Sequence, residues 1–176
     1  MNKIFIVLFC LLFVNYFSYA ASKVNMLEIT SPVFKHNGTI PKKYTCDGIN
    51  ISPELSWDNL PEDTNSLALI VDDPDAPAET WVHWVIYNIP PNSKGLQEGV
   101  LPLRALPHNT KQGINDFKKI GYGGPCPPSG THRYFFKLYA LDTKLNLDSG
   151  ATKKDLENAM KGHILAQTEL VGKYKR

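Results

Sequence analysis

At 176 residues, with 19 Lys and Arg against 17 Asp and Glu and a formal net charge of +2, the chain is long enough for one ordinary domain with a substantial core. No stretch concentrates Lys or Arg densely, which removes the electrostatic case for a nucleic-acid partner; the Lys173-Tyr-Lys-Arg176 tail reads as a solvated terminus. Three cysteines without a Cys-x-x-Cys pair argue against a zinc knuckle or a thioredoxin-type motif.

The first twenty residues do not read as part of the fold. Met1-Asn-Lys3 is a short basic start, Ile4–Phe17 is almost wholly apolar, and Ser18-Tyr19-Ala20 sets small residues around a large one. That is the pattern of a signal-peptidase site, and the apolar run, broken by Asn15, falls short of the roughly 20 residues of a membrane span. Residues 1–20 are therefore expected to be a signal peptide, cleaved after Ala20 or Ala21, with 21–176 one exported domain. Loss of Lys3 takes the formal charge from +2 to +1, and Cys10 departs too. The remaining Cys46 and Cys126 invite a disulfide in an oxidising compartment and would be free thiols in cytosol.

In chain order, Met26–Thr30 and Val33–Phe34 are expected as short strands around a Ser-Pro break. Tyr44–Pro53 is turn chemistry, with Asp47-Gly48 suited to φ > 0. Leu55–Trp57 is brief strand material, and Leu60–Thr64 turns again. Ser66–Val71 is a continuous apolar run suited to a strand buried on both faces. It ends in Asp72-Asp-Pro-Asp-Ala-Pro77, where three carboxylates and two prolines take the chain out of the sheet. The strand Trp81–Ile89 reads with His83, Val85, Tyr87 and Ile89 on one face and Trp84, Ile86 and Asn88 on the other. A histidine so placed has a plain structural reading as well as a functional one.

From Pro90 to Gly130 periodicity is weak, yet Asn115-Asp-Phe117 and Gly121-Tyr-Gly carry aromatics, so packed Ω-like structure is expected rather than disorder. Four glycines and three prolines fall within 121–130, which bars helix or central strand and leaves a stiff loop with free backbone groups. The strongest strand, Arg133–Leu141, follows at once, with His132, Tyr134, Phe136, Leu138 and Ala140 on one face. Thr152 and Asp155 form a capping-box pair for a late helix, whose apolar stripe is read as Leu156, Ala159, Met160, His163 and Ile164. His163 on that stripe reads as a structural residue packed on the sheet. The architecture is mostly β with a terminal helix, without repeat or second domain.

The Asp72–Asp75 carboxylates, His83, and His132 with Tyr134 come from separate strand ends expected to gather at one rim. Together, Asp72-Asp-Pro-Asp-Ala-Pro77, Val82-His-Trp84 and Gly124-Pro-Cys-Pro-Pro-Ser-Gly-Thr-His-Arg-Tyr134 resemble the phosphatidylethanolamine-binding protein family, also known for Raf-kinase inhibitor proteins. Cys46-Asp-Gly-Ile-Asn-Ile-Ser-Pro53 and Trp81-Val-His-Trp84 resemble its bacterial YbhB/YbcL-type branch. The resemblance, from about Met26 to Tyr174, implies a Greek-key β-fold of two packed sheets with a C-terminal helix and a long pocket-forming loop. It also implies a small pocket for phosphate-like anions, built from Asp73, Asp75, Trp81, His83, Cys126, Pro127, Pro128, His132 and Tyr134. The sequence departs from the family pattern at Cys126, where a smaller residue can also serve. The C-terminal segment here is short, so the family's longer ligand-gating tail is not carried over as an expectation.

The chemistry of those residues suits an anion. Imidazoles of His83 and His132 donate hydrogen bonds and gain charge near neutral pH, Tyr134 adds a hydroxyl, and Gly/Pro-loop N–H groups can form a nest. An Asp73–His83 hydrogen bond is expected to reconcile the acid with the anion. The expected role is a non-catalytic, exported binder of a phosphate-like anion or phospholipid head group, periplasmic or secreted, without cofactor or metal, that also modulates a partner protein. Two other readings are a kinase- or protease-inhibitor-like protein acting through the pocket rim, and a weak hydrolase using the Asp/His/Tyr cluster. No Ser or Cys nucleophile has an evident base, and Cys126 is better explained by pairing with Cys46 than as a reactive thiol.

Overall fold

The computed structural model describes residues 26–176, so the expected signal peptide and its cleavage point lie outside the described residues. The chain runs β1 (Glu28–Thr30), β2 (Gly38–Thr39), β3 (Leu55–Asp58), β4 (Ser66–Asp73), β5 (Trp81–Ile89), β6 (Gly95–Leu96), β7 (Lys111–Gln112), β8 (Thr131–Leu141), α1 (Lys153–Met160) and β9 (Ile164–Lys175). Six strands form one sheet in the order β2-β9-β8-β4-β5-β7, and β1-β3-β6 form a second. The mostly β, two-sheet architecture with one late helix is the one expected.

Strand β4 is the centre of the molecule. All eight of its residues are buried, and it pairs antiparallel with β5 on one side and β8 on the other. Its uninterrupted apolar run fits because both faces are covered. Leu67, Leu69 and Val71 join Trp84, Ile86, Tyr134, Phe136 and Leu138 in a core that includes Ile29, Leu55 and Trp57 of the small sheet. Ala68 and Ile70 face the other way, with Val85, Tyr87 and the helix residues Leu156 and Met160. The small sheet thus covers one face and α1 the other.

Two expected elements differ. Val33–Phe34 is not a strand; Phe34 instead turns inward, its ring 5.4 Å from that of Phe136. The helix begins as read, Thr152 Oγ1 accepting from Asp155 N at 3.2 Å and Asp155 Oδ2 accepting from Thr152 N at 2.9 Å. It stops at Met160, because Lys161 is already extended (ψ 124°) and Gly162 takes φ +80°. His163 and Ile164 therefore leave the helical stripe. His163 is half-exposed, with Nδ1 2.8 Å from Asp142 Oδ1 rather than packed on the sheet, and Ile164 opens a twelve-residue strand along β8.

The long Pro90–Gly130 segment is packed, as expected. Asn115 is buried; its Nδ2 donates to the Gly121 carbonyl at 2.9 Å and its Oδ1 accepts from Lys119 N at 3.0 Å. The chain end closes on the same region, Arg176 and Gly130 exchanging backbone hydrogen bonds at 3.1 and 3.2 Å.

Candidate functional site

His83 owes its position to a β-bulge. Val71 pairs with Trp84 but Asp72 pairs with Val82, so His83 is the extra residue between two ladder positions. A strict two-residue alternation places His83 with Val85 and Tyr87, which lie on the helix side. The bulge turns its imidazole to the opposite side, where it meets Tyr134 edge-on at 5.1 Å and 89°. A second irregularity near Asn88, which adopts φ +55°, moves Ile89 to the Trp84 side as well.

The expected rim assembles, with its partners exchanged. Asp73, at the end of β4, accepts a hydrogen bond from His132 Nδ1 at 2.7 Å, not from His83. Both side chains of this pair are nearly enclosed, 5% and 10% exposed. His83 Nδ1 donates instead to the Gly123 carbonyl at 2.6 Å. The reason is topological: β4 and β8 are hydrogen-bonded neighbours and the Asp73 end of β4 lies beside the His132–Tyr134 end of β8, whereas the bulge carries His83 toward the Gly/Pro loop. Asp75, past the strand end, takes Arg133 through two side-chain contacts at 2.6 and 2.8 Å. The Arg133 hydrogen bonds hold the Asp75 carboxyl down at about 2.

Burial sets the charge state of the centre. His83 is enclosed, and loss of water pushes its basicity below the ordinary imidazole value, against the pull of the Gly123 carbonyl and the Asp73 charge. Tyr134 is fully buried; that burial, with Asp73 alongside, raises its pKa, so the phenol keeps its proton. Its hydroxyl lies near the Asp73 carboxylate and the Cys126 backbone, yet makes a well-formed hydrogen bond with neither. Trp81 Nε1 is likewise buried without a partner. Buried donors left unsatisfied cost about 1–3 kcal/mol each, so two in the aromatic cluster that Phe117 links to His83 are unusual for a purely structural core.

Phe117 joins these groups and was not among the residues expected at the site. Its ring stands edge-on to Trp81 at 5.4 Å and to His83 at 5.3 Å. A Cβ at Gly123 would come within 2.6 Å of that ring, so Phe117 packs directly on the loop that binds His83. The aromatic cluster noted at Asn115–Phe117 was the available signal. The role of the Gly123 carbonyl left none.

Cys126 and Cys46 form a disulfide with Cα atoms 5.4 Å apart. Cys46 N donates to the Pro125 carbonyl at 3.0 Å, and Gly124 N donates to Asn50 Oδ1 at 2.7 Å. A Cβ on Gly124 would fall 2.4 Å from the Tyr44 carbonyl oxygen, so only glycine allows this approach. Asp47 in the same turn holds Tyr174 at 2.9 Å and Arg176 at 3.1 Å, which ties the chain end to the loop. Pro127 is buried beyond the disulfide and Pro128 is exposed.

Wider surface clefts lie elsewhere: one of about 590 Å³ runs beside α1 past Leu147 and Asp155, and one of about 490 Å³ lies along β1 and β3 past Glu28 and Trp57. The candidate site is a tight cluster of side chains rather than one of these clefts. Among the described residues no three His, Cys, Asp or Glu side chains gather in a metal-holding group, and no helix is long and apolar enough to cross a membrane.

The family model described as phosphatidylethanolamine-binding protein matches residues 30–175, and the chain belongs to that family. A UPF0098 protein of Methanothermobacter thermautotrophicus is 56% identical over 150 residues, covering 85% of this chain and 99% of the relative. One from Aquifex aeolicus is 49% identical over 168 residues, covering 94% and 97%. Among solved structures, a putative phosphatidylethanolamine-binding protein homolog of Chlamydia trachomatis matches with a TM-score of 0.80 at 43% identity, and YbcL of E. coli with 0.80 at 34%. Each covers 86% of this chain and is itself covered to 99%.

Proposed function

We propose that the protein is an exported, non-catalytic binder of small phosphate-like anions, including phosphorylated head groups, at the His83–Tyr134 cluster, and that occupancy of the cluster modulates a partner protein. The observation that carries this reading is the pair of buried, unpartnered donors, Tyr134 Oη and Trp81 Nε1, in one aromatic cluster with His83. An oxyanion supplies the acceptors these groups lack. Asp73 and Asp75 do not repel it with full charge, because His132 and Arg133 are bonded to them. Binding without chemistry is favoured because the cysteine in the loop is held in a disulfide and is no nucleophile. Membership of a family described as phosphatidylethanolamine-binding supports the head-group class.

Calorimetric titration with phosphate and with phosphoethanolamine tests this. The wild type is expected to bind weakly, and His83→Ala and His132→Ala to lose about tenfold or more, the worth of one hydrogen bond to a charged group. Unchanged affinity in both variants overturns the assignment.

A further inference from the structure

We infer that the site recognises a protonated oxyanion: His83 offers Nε2 as a hydrogen-bond acceptor, so the preferred ligand brings an O–H as well as bare oxygens. This rests on the anion-binding reading above and specifies its ligand class. The Gly123 carbonyl can only accept, so the 2.6 Å contact places the hydrogen of the ring on Nδ1. In the neutral ring Nε2 is then a lone pair, and no hydrogen bond from the described residues occupies it. The surroundings keep the ring neutral near pH 7. Phe117 and Tyr134 stand edge-on against it and His83 is 2% exposed, so burial outweighs the attraction of nearby negative charge.

The charged and titratable groups around it are identifiable on each element packed against it. Strand β4 brings Asp72 and Asp73, of which Asp72 is bonded to Lys137 and Lys153 and Asp73 to His132. Strand β8 brings Tyr134 and, through Asp73, His132. The turn carrying Phe117 has Asp116, whose Oδ2 accepts from Val82 N at 2.7 Å, and the surface residues Lys118 and Lys119. The Gly/Pro loop contributes carbonyls rather than charge at this point. One acceptor, His83 Nε2, and two donors, Trp81 N–H and Tyr134 O–H, match an oxyacid that carries one hydroxyl and two free oxygens.

Phosphate and its monoesters keep a proton at or just below neutrality, whereas sulfate carries none, and the two anions are otherwise alike in shape. The test is a calorimetric comparison of inorganic phosphate and sulfate at neutral pH, in the wild type and in His83→Gln. Phosphate is expected to bind at least about tenfold more tightly at neutral pH, since sulfate faces an unpaired acceptor. In His83→Gln, whose amide can turn a donor to the ligand, the preference should largely disappear. Equal binding of the two anions by the wild type at neutral pH overturns this inference and leaves the anion site standing. Selectivity that survives in His83→Gln overturns it too. Binding of neither anion overturns the anion reading itself, and this inference with it.

Discussion

Replacing Lys137 and Lys153 together by methionine should destabilise the fold by about 3–5 kcal/mol, the cost of leaving a buried carboxylate without its partners. Asp72 lies near the end of β4, fully buried, and faces the helix side of the sheet. Lys137 from β8 reaches Oδ1 at 2.9 Å, and Lys153, the first residue of α1, reaches Oδ2 at 2.5 Å. Both ammonium groups keep some contact with water, at 30% and 21% side-chain exposure, so the carboxylate bears most of the desolvation. Either single replacement should cost less than half as much, because the other lysine remains. The two effects are therefore not additive. Adding Asp72→Asn to the double variant should recover much of the loss, since the orphaned charge is gone. Urea unfolding of the wild type and the four variants reads this directly, and a double variant within about 1 kcal/mol of wild type would show the triad to be incidental.

Opening the Cys46–Cys126 bond should also be costly. The two cysteines are 80 residues apart, a span that includes β3 through β7. On chain-entropy grounds releasing such a loop is worth about 4–5 kcal/mol, and native bridges measured this way give about 2–5. Cys46→Ser, or the wild type under dithiol reductant, should melt well below the oxidised protein. The loop itself is held by more than sulfur: Gly124 N to Asn50, Cys46 N to Pro125, and Asp47 to Tyr174 and Arg176 all remain. The folded fraction of the reduced protein should therefore keep its anion affinity within a few fold while its unfolding midpoint falls. Thermal scans with and without reductant separate the two effects.

Much of this was legible in the sequence because local patterns and tertiary demands agree. Strand β4 is an apolar run bounded by turn residues, and it is buried on both faces. The Thr152/Asp155 box caps α1 as its spacing predicts. Strand β9 was hidden because Leu156, Met160, His163 and Ile164 continue a helical spacing across Gly162, and the positive φ of that glycine decides the matter. At the site, the residue types were readable but two of their relations were not. A bulge reverses the face of every residue beyond it, so alternation misplaced His83. Which histidine would take Asp73 depended on strand adjacency, and the partner His83 did take is a backbone carbonyl, to which no side-chain pattern points.

The central claim, that the His83–Tyr134 cluster is where the anion binds, is tested most directly by ¹H–¹⁵N NMR of the Trp81 indole and the histidine rings during a phosphate titration. The Trp81 indole N–H has no protein partner, so its resonance should move downfield and saturate as an acceptor arrives, with the His83 ring nitrogens shifting along the same curve. Saturable shifts confined to surface groups such as Lys118 and Lys119, with Trp81 and His83 unmoved, would contradict it.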